Sequence, residues 1–246
     1  MSSSERAFVA GATGLTGRFV VAELRRRGIE THAHVRPDSP RLAEWRGRFE
    51  AEGAVVDTTP WEASAIAAAF AAHRPTRVFG LLGTTRARAS RAAKAGGDPS
   101  TESYDAVDVA MTEQLIAASG ALSPLPRFVY LSSAGAGEAG RGSYLDARTR
   151  VESTLARSGV PYTIARPSFI VGDRDDARPA EKLGAPVADA LLGALGVLGA
   201  RRTADRYRSI RGEDLARVLV LAALDPARAG AILEADALQA MVRAAR

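Results

Sequence analysis

Apolar residues recur along the chain in two alternating rhythms. Short runs rich in β-branched and aromatic side chains, at 7–10, 31–35, 54–56, 78–82, 127–131 and 162–165, read as buried strands. Between them lie stretches with helical spacing, at 17–27, 63–73, 103–119 and 144–157. In the first of these, Phe19, Val20 and Leu24 offer one inward face, and Gly28 ends it. Pro37 halts the second strand. Strands alternating with helices predict a parallel sheet covered by helices, an α/β doubly wound architecture. The segment 85–100, rich in Arg, Ala and Gly, follows strand four and reads as a loop at the ligand-facing end of such a sheet. Past Arg166 the pattern loosens, and 168–205 mixes turns with one apolar helix around Leu191 to Leu198. The expectation is one domain, 1–246, with 168–205 forming a small C-terminal lobe over the substrate.

Composition narrows the chemistry mostly by exclusion. The 246 residues are 46% hydrophobic and 25% charged, ordinary for a globular domain with a sizeable core. No cysteine is present, which removes disulfides, thiolate metal sites and cysteine nucleophiles. The three histidines are His32, His34 and His73. His32 and His34 share one face of a strand, but two ligands do not make a metal site. The net charge of +5 comes from scattered arginines, with Lys94 and Lys182 the only lysines. That pattern fits coding bias better than a basic patch, so neither nucleic acid nor membrane is the expected partner. With no apolar leader at residues 1–6 and no stretch long enough to span a bilayer, the reading is a cytoplasmic protein, a monomer or homodimer acting on a small molecule.

The most specific signal is the turn between the first strand and first helix: Gly11-Ala12-Thr13-Gly14-Leu15-Thr16-Gly17. Strand, glycine turn and helix together form the context of a dinucleotide-binding fingerprint. One glycine permits the tight turn, one lets backbone approach a pyrophosphate, and one lets helix pack on strand. Amides at the helix N-terminus then face the diphosphate, with Thr13, Leu15 and Thr16 between the glycines. At the end of strand two an acidic residue would hold a ribose 2′-hydroxyl. Arg36 stands there instead, and its planar donors suit a 2′-phosphate, which points to NADP(H).

The GxxGxxG spacing resembles the extended and atypical short-chain dehydrogenase/reductases, which have the Rossmann fold. The resemblance runs from Ala7 to about Leu224. It implies that Asp57 is the adenine-side acid, and that Leu82, Gly83 and Thr84 line the nicotinamide ribose. It also implies that Arg166 and Pro167 lie near the carboxamide. Strand five ends Leu131-Ser132-Ser133-Ala134-Gly135, where the family places its catalytic serine, here Ser133 with Ser132 as the alternative. Eleven residues after Ser133, Tyr144 opens a helix with Arg148 four positions on. The family pattern is Tyr-x-x-x-Lys. Its tyrosine moves the proton of a carbonyl or alcohol, its lysine holds the ribose, and its serine polarises the substrate oxygen. A spacing of four puts Tyr144 and Arg148 on one helix face. Arg148 is a departure: it keeps a permanent charge but gives up no proton. Asp108 occupies a position where many members carry asparagine.

Further strings, Leu82-Gly83-Thr84-Thr85-Arg86, Lys94-Ala95-Gly96-Gly97, Arg166-Pro167 and Asp173-Arg174, resemble the Tat-interacting-protein type within that family. That resemblance implies NADPH binding with a loosely defined reductase activity, and in some members regulation through other proteins. Two classes therefore lead, an NADP(H)-dependent oxidoreductase and a non-catalytic NADP(H)-binding regulator; isomerase or dehydratase chemistry with a recycled cofactor is a third, against which the small size of the lobe after strand six argues. Late in the chain, Ile210 to Ala216 resembles a family strand–helix segment in which Asp214 caps the helix.

Overall fold

The first strand, β1 (Arg6–Ala10), is third across a seven-stranded sheet in which every neighbouring pair runs parallel. The computed structural model describes residues 5–83, 100, 103–137, 142–172 and 208–245. After β1 come α1 (Gly17–Arg26), β2 (Glu30–His34), α2 (Leu42–Ala51), β3 (Val55–Asp57), α3 (Ala63–His73) and β4 (Arg77–Gly80). A π-helix (Tyr104–Ala110) runs into α4 (Met111–Gly120), followed by β5 (Arg127–Leu131), α5 (Ser143–Arg157) and β6 (Tyr162–Arg166). A small parallel pair, β7 (Ile170–Val171) and β8 (Ile210–Arg211), precedes α6 (Gly212–Leu224), β9 (Ala231–Glu234) and α7 (Ala235–Ala244). The sheet order is β3-β2-β1-β4-β5-β6-β9. This is the doubly wound α/β sheet that the alternating pattern predicts.

Both faces of the sheet are buried, which is why its strands read as continuous apolar runs rather than alternating ones. On one face Val9, Ala33, Phe79 and Val129 pack under α1 and α6 through Val20, Leu24, Leu215 and Leu219. On the other, Phe8, Val78, Phe128 and Ile164 pack under α3, α4 and α5 through Phe70, Leu115, Val151 and Leu155. Successive strand residues thus feed opposite layers.

Several elements differ from expectation, among them β7 and α7, which the sequence pattern does not announce. The sequence pattern does not reveal α2, because only Trp45 and Phe49 turn inward. Glu44, Glu50 and Glu52 pair with Arg41, Arg46 and Arg48 along its surface instead. The single helix expected over 103–119 divides into a π-helical turn and an α-helix. The edge strand β9 buries only Leu233 and leaves Ile232 exposed, so it carries a weak strand signal. Asp214 lies inside the first turn of α6 rather than at its cap, which is Arg211. Among the described residues no helix is long and apolar enough to cross a membrane. Most of the expected lobe over 168–205, and the loop 85–100 except for its last residue, fall outside the described residues.

Candidate active site

The sheet order reverses between β1 and β4, and a doubly wound sheet opens its ligand crevice at the carboxyl end of such a switch point. A cleft of about 370 Å³ lies there. Gly14, Leu15, Thr16 and Gly17 form one wall and Leu82 and Gly83 another. Tyr144 and Arg148 face it from α5, and Ser132 from the end of β5. Leu81, Tyr104, Leu131 and Ile170 complete its wall, all outside the set of residues predicted for the site.

The glycine turn is dictated by close approach. Gly11 has φ +81°, and a Cβ there would meet the Leu81 carbonyl oxygen at 2.5 Å. A Cβ on Gly17 would sit 2.1 Å from the Gly11 carbonyl oxygen, so this glycine lets α1 start directly against β1. Gly14 is exposed, and its amide donates to the Gly11 carbonyl at 2.9 Å. Thr16 is buried at the N-cap of α1.

On α5, Tyr144, Arg148 and Glu152 follow one another at intervals of four and share one face. The π-helix meets that face in two rungs. The Tyr104 and Tyr144 rings lie 5.3 Å apart, tilted by 58°. One turn on, Arg148 Nη2 pairs with Asp108 Oδ1 at 2.7 Å, with the two side chains 6% and 0% exposed. Arg148 Nη1 also donates to the Leu131 carbonyl at 2.9 Å, the Tyr130 hydroxyl at 3.1 Å and the Leu82 carbonyl at 3.2 Å. Burial works against the Arg148 charge, but Tyr130, Tyr144 and Asp108 around it outweigh that and raise its pKa further. Burial likewise pushes the Tyr130 hydroxyl up to about 12, in spite of Arg148. Gly83 is shaped by the same guanidinium, since a Cβ there would come within 2.9 Å of Nη2.

A second network lies beside the cleft. Ser132 Oγ donates to Glu152 Oε1 at 2.5 Å. Arg166 grips Glu152 with two nitrogens, Nε to Oε1 at 3.0 Å and Nη2 to Oε2 at 2.5 Å, and reaches Glu234 at 2.8 Å. The Glu152 hydrogen bonds raise the Arg166 pKa above its ordinary value.

The predicted residues divide accordingly. Gly14, Leu15, Thr16, Gly17, Leu82, Gly83, Tyr144 and Arg148 come together at the cleft. Of the two serines it is Ser132, rather than Ser133, that lines it. Arg166 spends its guanidinium on two glutamates, and the Pro167 carbonyl accepts from the Ala134 amide at 2.9 Å. Arg36 and Asp57 stand at the ends of the adjacent strands β2 and β3, where the Val35 amide donates to the Asp57 carbonyl. The Asp57 carboxylate accepts from the Thr59 amide at 2.9 Å and pairs with His73 Nε2 at 2.8 Å. Burial opposes its charge, but these hydrogen bonds prevail and lower its pKa. Thr84 lies outside the described residues. The histidines gather beside Asp57. His32 stacks on His73 at 3.9 Å, His34 bonds the Thr59 carbonyl, and no metal-holding group occurs among the described residues.

The family model described as NAD(P)H-binding matches residues 11–226, from the first glycine of the turn to beyond α6. The chain belongs to the NAD(P)H-binding family. Solved structures of the same fold share little sequence with this NAD(P)H-binding protein. The UDP-glucose 4-epimerase of Thermus thermophilus in complex with NAD is 18% identical, with a TM-score of 0.63, covering 98% of this chain and 83% of its own. AtPrR2 with NADP+ and (+)pinoresinol is 15% identical, with a TM-score of 0.64, covering 95% and 70%. Leucoanthocyanidin reductase from Vitis vinifera is 16% identical, with a TM-score of 0.60, covering 92% and 66%. No curated protein matches the chain by sequence.

The cleft fits a dinucleotide on two structural grounds. The exposed Gly14 leaves backbone accessible at the mouth of α1. Arg148 lines the cleft with one buried N–H, at Nε, that has no partner within the described protein.

Proposed function

We propose that this NAD(P)H-binding protein is an NADP(H)-dependent oxidoreductase that transfers hydride to or from a small carbonyl or alcohol substrate. The observation that carries this reading is the convergence of Tyr144 and Arg148, one turn apart on α5, on the cleft walled by the glycine turn. When bound, the nicotinamide supplies or accepts hydride at its C4 carbon. The Tyr144 hydroxyl gives its proton to the substrate oxygen during reduction and takes it back during oxidation. Arg148 offers Nε to a ribose hydroxyl and holds a fixed positive charge beneath Tyr144, its Cζ 5.2 Å from the ring.

The remaining assignments follow from position. Arg36 meets the 2′-phosphate from the end of β2, and Asp57 serves the adenine side from the end of β3. Gly11, Thr13, Gly14, Leu15, Thr16 and Gly17 cradle the diphosphate. Leu82, Gly83 and Thr84 flank the nicotinamide ribose, with Arg166 and Pro167 beyond. Ser133 is the family's serine by position, and Ser132 is the one at the cleft.

NADPH oxidation across a panel of aldehydes and ketones tests the mechanism. Tyr144→Phe lowers turnover by about 10²-fold or more if its hydroxyl carries the proton. Unchanged turnover in that variant removes the proposed step. The engagement of Arg148 by Asp108, two carbonyls and Tyr130 also favours a second reading, in which NADP(H) is held without turnover by a regulatory protein. That reading predicts tight cofactor binding, no oxidation with any carbonyl, and a Tyr144→Phe variant that binds as well as the parent.

A further inference from the structure

The polarity of one hydroxyl narrows the substrate. Ser132 has a single proton, and it is committed: Oγ lies 2.5 Å from Glu152 Oε1. Glu152 is buried at 6% exposure, and the paired Arg166 guanidinium holds both its oxygens in place as acceptors. Arg166 is itself anchored on Glu234, so the carboxylate is braced from behind. Oγ therefore has lone pairs left for a ligand but no donor. A serine that polarises a carbonyl must donate to its oxygen, and Ser132 in this arrangement does the reverse.

Resting on the reading of the site as a carbonyl/alcohol oxidoreductase, we propose that Ser132 is a specificity-determining acceptor. It selects substrates that carry a hydroxyl donor next to the reacting carbon, as α-hydroxyketones and vicinal diols do. Glu152 is the positioning residue that sets this polarity. Tyr144 and Ser132 line the same cleft, and in the proposed complex each meets one of two neighbouring oxygens of a small substrate. Tyr144 handles the oxygen that changes between carbonyl and hydroxyl, and Ser132 receives a hydrogen bond from the oxygen that stays a hydroxyl. In reduction, hydride adds to the carbonyl carbon and the Tyr144 proton adds to its oxygen. An α-hydroxyketone plus one proton becomes a vicinal diol while NADPH becomes NADP+, and Tyr144 regains its proton from water.

A plain ketone leaves Ser132 facing a group that cannot donate, and a buried acceptor without its partner discriminates strongly.

Matched pairs test this: acetoin against butanone, and hydroxyacetone against acetone, with NADPH and the full chain. The hydroxyketone is favoured by about tenfold or more in kcat/KM. In Ser132→Ala that ratio falls toward one, while Glu152 keeps Arg166 as its partner, so the variant retains its fold. Saturation-transfer NMR on the NADP+-saturated protein supplies a readout independent of turnover, with acetoin giving the stronger signal and losing its advantage in Ser132→Ala. Equal use and equal binding of the two members of each pair overturn the assignment of Ser132 while leaving the oxidoreductase reading standing. A preference that survives Ser132→Ala does the same. Absence of both turnover and binding across all four ketones overturns both.

Discussion

Asp108 and Arg148 form a buried ion pair, 2.7 Å between Oδ1 and Nη2, that locks the π-helix onto α5 directly behind the cleft. Each charge is the other's compensation. Asp108 supplies the countercharge to Arg148 from the facing element. The pair stands one turn beyond the Tyr104–Tyr144 contact, so it also fixes the ring that the proposed chemistry uses.

Removing one member strands the other. Asp108→Asn leaves an uncompensated guanidinium in a nearly water-free site and costs about 3–5 kcal/mol of stability. Urea unfolding measures it. Replacing both residues with apolar side chains of similar size costs far less than the sum of the single changes. Additive losses would mean that the pair carries no coupling.

The glycines of the turn separate stability from binding. Gly17→Ala forces a Cβ to within 2.1 Å of the Gly11 carbonyl oxygen and lowers the melting temperature sharply. Gly14→Ala meets its nearest neighbour at 3.1 Å on an exposed face, so the fold survives. Its methyl instead obstructs the approach of the diphosphate, and NADPH affinity drops about tenfold or more by fluorescence titration. Equal effects of the two substitutions on melting temperature would contradict this division.

Acid weakens the sheet edge where the histidines gather. Burial, then the charge of the stacked His73, depresses the His32 pKa from its ordinary 6.5. Burial does the same for His34. Each binds protons more readily unfolded than folded, so their contribution is fully present above pH 6.5 and is lost as pH falls below it. Glu30 beside His32 and Asp57 beside His73 oppose this effect in part. The Asp57 carboxylate, with its pKa lowered, adds stability that disappears at still lower pH, below its ordinary 3.8. The melting temperature should therefore fall between pH 7 and 5, and less steeply in His32→Phe. A flat profile over that range would contradict the assignment.

Much of the fold is visible in the chain because the central strands are buried on both faces, and β1, β4 and β6 stop at or just before a glycine or proline. The Gly11–Gly17 turn could be read because its spacing and context are specific, and the Tyr144–Arg148 pair because helical spacing alone places both on one face. Other features are tertiary. Nothing local tells that Asp108 meets Arg148, or that a π-helical turn brings Tyr104 to Tyr144. The choice between Ser132 and Ser133 depends on Glu152, twenty residues from Ser132, reaching back from α5. Nothing local tells that Arg166 pairs with two glutamates, one of them on edge strand β9. A lone inward pair, Trp45 and Phe49, is too sparse a stripe to announce α2.

The central claim is that the glycine turn and Arg36 together hold NADP(H), and nucleotide titration tests it most directly. Intrinsic fluorescence quenching should show one NADPH per chain, bound about tenfold or more tightly than NADH, with Arg36→Glu removing or reversing the preference. Failure of NADPH to saturate the protein, or equal affinity for both nucleotides that Arg36→Glu leaves unchanged, would contradict the account.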